Sequence, residues 1–218
     1  MKFEEMTVEW KGHAGFFIED GKKMYIDPYN IGEDNEKADF VLLTHSHYDH
    51  CSIEDLRKVI KDGTMVICPA DCQSKLTRID KKIGLEIMAP GQDIEIEGID
   101  IKAVPAYNPE KRFHARDEKW NGYVVKVEGK TIYHSGDTDV IPEMSDLGES
   151  THIDLALLPV RGKYTMNAEE AARAVVLLRP RLSIPMHWGE IVGSREDAEQ
   201  FVKLCEEEGF EAEVLEKK

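Results

Sequence analysis

The stretch Thr44-His45-Ser46-His47-Tyr48-Asp49-His50 decides how the rest of this chain is interpreted. It places three histidines and an aspartate within six positions. Imidazole and carboxylate groups are the ligands that zinc, manganese and iron(II) prefer. Such a cluster is costly in a protein core unless its polar groups have partners. A bound cation accounts for it, and a hydrolase is the leading hypothesis.

The residues on either side place this cluster in a loop. The apolar run Phe40–Thr44 predicts a strand that is buried on both faces. Ser52, with Asp55 three residues later, is close to a capping box and predicts a helix over Ile53–Lys61. Ligand sites in α/β proteins commonly lie where such a strand ends.

The remaining pattern is mostly β in the first half of the chain, with helical insertions, and the second half repeats that order. The turn pairs Asp20-Gly21 and Glu128-Gly129 predict hairpins. Asn167 and Ser194 are predicted to cap helices over 168–178 and 195–208. This order favours two mixed sheets covered by helices over one alternating βαβ run. Further strands are predicted at Thr7–Lys11, Gly15–Glu19, Met24–Asp27, Met65–Cys68, Leu85–Met88, Asp93–Ile96, Ile99–Val104, Tyr123–Val127, Thr131–His134, Asp154–Pro159 and Leu182–Pro185.

The composition is that of a soluble globular protein, and we expect a single domain over residues 1–218. The 43 acidic and 28 basic residues give a net charge of −15. This charge argues against a nucleic acid or an anionic membrane as the partner. No apolar stretch is long enough to span a membrane, and the segment Met1–Glu5 lacks the order of a signal peptide.

The four cysteines, Cys51, Cys68, Cys72 and Cys205, form no C-x-x-C pair. We interpret them as reduced thiols of a cytoplasmic protein. Cys51 follows the histidine cluster directly, so it is either a soft metal ligand or a neighbour without a role, and we favour the second interpretation.

Further histidines and aspartates lie where other strands are predicted to end. These residues are His13, Asp27, His114, His134, Asp137 and His187. Strand ends that each present such a side chain can direct several ligands to one point.

On these residues the chain resembles the metallo-β-lactamase superfamily. Its signature H-x-H-x-D-H is His45-Ser46-His47-Tyr48-Asp49-His50 here, and Gly136-Asp137-Thr138 and His187 match two later positions. Gly12-His13-Ala14 and Ile26-Asp27-Pro28 are similar to the branch that includes L-ascorbate-6-phosphate lactonase. The resemblance implies a four-layer αββα sandwich of two mixed sheets flanked by helices.

One position departs from the family pattern. After the predicted strand Ile99–Val104 the family usually has a histidine, and this chain has Pro105-Ala106-Tyr107-Asn108. The missing ligand is either His114, six residues further along, or the amide oxygen of Asn108. We favour His114.

The resemblance also implies roles for the candidate ligands and a cofactor of two divalent cations, zinc first, with manganese or iron as alternatives. Asp137 would bridge the two cations, which would share a hydroxide as the nucleophile. Asp49 would also orient that nucleophile. The first cation would take His45, His47 and His114, and the second would take Asp49, His50 and His187.

Several candidates keep a second interpretation. His13 either donates a proton to the leaving group or caps a backbone turn. Asp27 shapes a turn, holds a ligating histidine, or does both. For His134 we favour a structural hydrogen bond over a role in the site. The cations of the loop Arg161–Met166 either hold a substrate anion or are merely solvated.

The sequence therefore predicts a metal-dependent hydrolase that cleaves an ester, lactone or phosphoester bond in a small polar or anionic molecule. One alternative is a nuclease or nucleotide phosphodiesterase, which the acidic composition disfavours. Another is a catalytically degenerate metal-binding module. A homo-oligomer remains open.

Overall fold

Two mixed β-sheets carry the fold in a computed structural model that describes every residue from Met1 to Lys218. One sheet has seven strands and lies in the unit formed by Met1–Ala89 and Leu215–Lys218. The other has six strands and lies in the unit Pro90–Val214. The predicted class, mixed sheets flanked by helices, is confirmed. The single domain stays a prediction.

The first unit begins as an antiparallel meander and continues as a parallel sheet. Strands β1 to β4 pair antiparallel, and β4 to β7 pair parallel. The strands are β1 (Lys2–Phe3), β2 (Met6–Gly12), β3 (Gly15–Asp20), β4 (Lys22–Ile26), β5 (Phe40–Leu42), β6 (Met65–Cys68) and β7 (Gly84–Ile87). The helices are α1 (Ile53–Val59) and α2 (Gln73–Leu76).

These pairings send five strands of the first sheet in one direction, and β2, β4 and β5 are three of them. Because β2 and β4 are both antiparallel to β3, and β5 is parallel to β4, the carboxyl ends of all three meet one edge. His13, Asp27 and the loop Thr44–His50 follow those ends. The topology alone therefore gathers three of the predicted segments.

Helix α1 is anchored on the first sheet by its apolar face. The Ser52 hydroxyl accepts a hydrogen bond from Asp55 N at 3.3 Å, as the sequence predicts, and such a cap is worth about 1 kcal/mol. Leu56 and Val59 pack into the core on that face of the sheet. The helix ends two residues before the predicted Lys61, because Ile60 already has an extended backbone.

The second unit repeats the order of the first. Strands β8 to β11 pair antiparallel, and β11 to β13 pair parallel. Its strands are β8 (Asp93–Ile96), β9 (Ile99–Pro105), β10 (Asn121–Val127), β11 (Lys130–His134), β12 (Leu155–Pro159) and β13 (Leu182–Met186). Here β9, β11, β12 and β13 run in the same direction, so the segments that follow them also share one edge.

Three helices complete the second unit: α3 (Glu143–Ser150), α4 (Ala168–Leu178) and α5 (Arg195–Glu207). Asn167 and Ser194 cap the last two with full capping boxes, as predicted. The sequence pattern missed α3, which buries only Met144 and Leu147 and so lacks a clear apolar stripe. None of the five helices has both the length and the apolar composition needed to cross a bilayer.

We expect Gly148→Ala to destabilise the protein by about 2 kcal/mol, because the added methyl group would meet the carbonyl oxygen of Leu177 and lie 2.9 Å from Leu178 Cα. Helix propensity alone would instead stabilise the variant by about 1 kcal/mol. Urea unfolding decides between the two, with Glu149→Ala on the exposed side of α3 as the control. An unchanged or raised midpoint for Gly148→Ala would contradict the packing.

Candidate metal centre

A buried carboxylate organises the histidine loop of the first unit. Asp27 Oδ1 accepts from Thr44 N at 2.8 Å, and its Oδ2 accepts from the Thr44 hydroxyl at 2.5 Å. The same Oδ2 lies 2.7 Å from His50 Nδ1. Because a carboxylate only accepts, His50 must donate from Nδ1, which directs its Nε2 away from Asp27. Asp27 thus shapes the turn and holds a histidine, and the two proposed roles coexist.

The Thr44 hydroxyl passes this orientation on to His45. Its hydrogen is used toward Asp27, so its oxygen accepts from His45 Nδ1 at 3.0 Å. His45 Nε2 then faces His47 Nδ1 at 2.9 Å. A nitrogen of the His45 ring and a nitrogen of the His47 ring therefore face each other in this loop.

Asp49 lies beside His13 in the same unit. His13 Nε2 is 2.9 Å from Asp49 Oδ2, and His50 Nε2 is 3.9 Å from the same oxygen. His13 is fully buried, and its carbonyl oxygen accepts from Trp10 Nε1 at 2.9 Å. The ring of His13 is thus directed at a predicted ligand while its backbone closes a turn.

Asp137 occupies the centre of the second unit's candidate cluster. His187 Nε2 lies 2.9 Å from Asp137 Oδ1, and His114 Nε2 lies 3.2 Å from Asp137 Oδ2. His114 Nδ1 lies 3.1 Å from the carbonyl oxygen of Tyr164, which fixes the ring with Nε2 toward the carboxylate. The structure thus gathers the three ligands predicted in this unit.

Four of these residues have a left-handed backbone. The φ angles are 51° at His13, 43° at Asp27, 60° at His114 and 65° at His187. Residues other than glycine rarely adopt this conformation, and when they do they concentrate at functional sites. The positive φ turns each chain segment sharply just beyond its strand or within its loop.

Sequence comparison adds an independent observation. The family described as a beta-lactamase superfamily domain matches residues 7–187, most of the chain. The chain belongs to the metallo-β-lactamase superfamily. The likeness to the L-ascorbate-6-phosphate lactonase branch stays a prediction.

Relatives within the superfamily carry names that refer to metal-dependent hydrolysis. The chain is 37% identical to a UPF0173 metal-dependent hydrolase of Pyrococcus abyssi, over 96% of this chain and 95% of the relative. Among solved structures, a proposed metal-dependent hydrolase of Parabacteroides distasonis is 29% identical with a TM-score of 0.85, covering 98% and 94% of the two chains. Igni18, a metallo hydrolase of Ignicoccus hospitalis, is 27% identical with a TM-score of 0.78, covering 96% and 94%.

The donor atoms of both units suit divalent cations. The hydrogen bonds from Nδ1 of His45, His50 and His114 leave Nε2 of each ring as the ligating atom, which is the usual way that a metal-binding histidine is oriented. His45 and His50 in the first unit, and Asp137 in the second, are almost fully buried. These clusters of histidine and aspartate are therefore able to bind metals.

The departure from the superfamily pattern at Asn108 is explained by its contacts. The Asn108 side-chain amide donates to the carbonyl oxygens of Phe113 at 2.8 Å and Tyr164 at 2.5 Å. Asn108 N also donates to the carbonyl oxygen of His114 at 2.8 Å. Asn108 thus secures the loop that delivers His114, and His114 is the residue that faces Asp137.

Lys111 secures the same loop from its outer side. Its ammonium group contacts the Asp139 carboxylate and donates to the carbonyl oxygen of Thr165 at 2.6 Å. Burial raises the pKa of Asp139, and the ion pair with Lys111 opposes that shift. The residues that hold His114 therefore come from three separate segments of the second unit.

His134 and Cys51 take supporting positions. His134 Nδ1 accepts from Gly136 N at 3.2 Å, so this buried ring supports the turn before Asp137. Cys51 is buried, and a hydrogen bond with the Cys72 thiol lowers its pKa.

Sequence reasoning missed the roles of Thr44 and Tyr164. Thr44 links Asp27 to His45, and Tyr164 supplies the carbonyl oxygen that orients His114. The position of Thr44 directly before the histidine cluster was a usable signal. Tyr164 acts through its backbone, so its residue type carries no signal.

We expect Asp27→Asn to weaken zinc binding about 10- to 100-fold, because an amide cannot replace both accepting oxygens beside Thr44 and His50. Asparagine tolerates the left-handed backbone at this position, so the fold should persist. Competition with a chromophoric chelator measures the affinity, and circular dichroism checks the fold.

The matched control is Asp39→Asn, a carboxylate in the same unit that accepts from Lys23 N at 3.0 Å and pairs with Lys61. It should bind zinc as the wild type does. An equal loss in both variants would show a general effect on stability and would contradict the specific role of Asp27.

Proposed function

We propose that this chain hydrolyses an ester, lactone or phosphoester bond of a small molecule with the help of two divalent cations. The observation that carries the proposal is the orientation of buried histidines by Asp27, Thr44 and Tyr164. The names of the relatives support the same class, a metal-dependent hydrolase.

We assign the candidate ligands to two cations according to the roles that the resemblance to the superfamily implies. Nitrogen-rich ligation favours zinc over an oxygen-activating pair of irons. His45, His47 and His114 would hold the first cation, Asp49, His50 and His187 would hold the second, and Asp137 would contribute to both.

When bound, such cations would supply Lewis acidity, lowering the pKa of a water molecule toward neutrality and stabilising the negative charge that develops in the transition state. Asp49 accepts a hydrogen bond from the attacking water and so orients it. His13, whose Nε2 lies 2.9 Å from Asp49 Oδ2, holds the proton that the leaving group needs. The acidic chain, with a net charge of −15, favours a small substrate over a nucleic acid. The cytoplasmic location stays a prediction.

Metal analysis tests the number of cations. We expect about two equivalents of zinc, manganese or iron in the wild type, and less than half of that in Asp137→Asn, which removes a charge from the bridging position. Asp154→Asn is the control, because Asp154 is also a buried aspartate of the second unit but pairs with Arg181. Full metal content in Asp137→Asn would rule out the bridge.

A substrate panel tests the reaction. Lactones and bis-p-nitrophenyl phosphate are offered to the metal-loaded protein and to protein treated with a chelator. We expect turnover only with metal, and a loss of about 100-fold or more in kcat for His13→Gln if His13 supplies the proton. A fully loaded protein that turns over neither class would instead favour the degenerate metal-binding module.

A further inference from the structure

Arg161 lies at the end of a parallel strand in a tightly closed loop. It follows β12 by two residues and forms a bridge with Asn167, and Gly162 N donates to the carbonyl oxygen of Met166 at 2.9 Å. Gly193 approaches so closely that a methyl group there would lie 3.1 Å from Arg161 Cβ. The backbone of Arg161 is therefore fixed on both sides.

The guanidinium group is buried next to the candidate metal ligands of its unit. Its side chain is 5% exposed, and its Nη2 lies 3.2 Å from Asp137 Oδ2. The guanidinium carbon lies 4.7 Å from the centre of the Tyr164 ring, so the group makes a cation–π contact as well as an ion pair. The contacts with Asp137 and Tyr164 fix the orientation of the guanidinium group.

One donor of this group lacks an acceptor. Arg161 Nε is buried and makes no hydrogen bond. A buried donor without a partner is unfavourable, and native proteins satisfy nearly all such groups. An oxygen atom of a bound molecule would satisfy this one.

The ion pair with Asp137 also leaves the charge of Arg161 incompletely compensated. The Asp137 carboxylate is shared with His114 and His187, and in the proposed function it faces two cations as well. Arg161 then remains a buried positive charge in a chain whose net charge is −15. Lys163, the next cation in the loop, is exposed.

The topology gives Arg161 a position comparable to that of the histidine loop. In each unit the sheet changes from antiparallel to parallel pairing at one strand, β4 or β11. The next parallel strand leads into Thr44–His50 in the first unit and into the loop of Arg161 in the second. Both loops thus follow equivalent strands.

We propose that Arg161 binds an anionic group of the substrate, a carboxylate or a phosphate, through two hydrogen bonds from its guanidinium edge. This inference rests on the proposed function, since it assigns a substrate class to the same site. Two oxygen atoms of a carboxylate or of a phosphate match the spacing of two guanidinium N–H groups, which a lysine ammonium group cannot reproduce.

Calorimetric titration with inorganic phosphate and with succinate tests the proposal and separates the two kinds of anion. The samples are metal-loaded and chelator-treated wild type, Arg161→Gln, Arg161→Lys and the neighbouring control Lys163→Gln. We expect Arg161→Gln to weaken binding of the preferred anion more than about tenfold, Arg161→Lys to lie between, and Lys163→Gln to match the wild type.

Metal content measured on the same samples separates this proposal from the proposed function. If the wild type does not bind stoichiometric metal, the proposed metal site is contradicted. The titration of chelator-treated protein then still tests whether Arg161 binds an anion. Arg161→Gln that keeps its metal but loses anion affinity supports the proposal. Three outcomes would overturn it. Arg161→Gln binds the anions as the wild type does, the wild type binds neither anion at about 10 mM, or Arg161→Gln loses metal together with anion affinity.

Discussion

The buried carboxylate of Asp27 is the constraint on which the histidine loop depends. It ties the end of β4 to the end of β5 through Thr44, and it sets the orientation of two imidazole rings. A charge in this position is tolerable only because every contact it makes is with a donor. The orientation of His45 and His50 is thus set by hydrogen bonds within the first unit.

The second unit also has a buried aspartate beside candidate ligands, at the end of an equivalent strand. Asp137 follows β11, which is the counterpart of β4, but here the carboxylate is itself among the candidate ligands, and Arg161 pairs with it. One aspartate orients candidate ligands, while the other is itself a candidate ligand. The two sheets thus have similar topology, but the aspartates at their equivalent strand ends have different contacts.

The elements with regular patterns could be predicted from sequence, and those held by distant contacts could not. The bounds of α4 match the predicted helix over 168–178, because Asn167 and the apolar stripe mark them locally. In contrast, the path of the His114 loop depends on the bonds of Asn108 to Tyr164 and of Lys111 to Thr165, which join residues more than fifty positions apart in sequence. No local pattern records such contacts, so the sequence could not show that His114 lies next to Asp137.

The left-handed backbone at His13, Asp27, His114 and His187 has an evolutionary consequence. Such a conformation costs an ordinary residue about 1–2 kcal/mol, while glycine adopts it freely and asparagine tolerates it. Selection for stability alone would favour glycine or asparagine at these four positions. In a lineage that has abandoned its chemistry, glycine or asparagine at these positions would be an early mark of the loss.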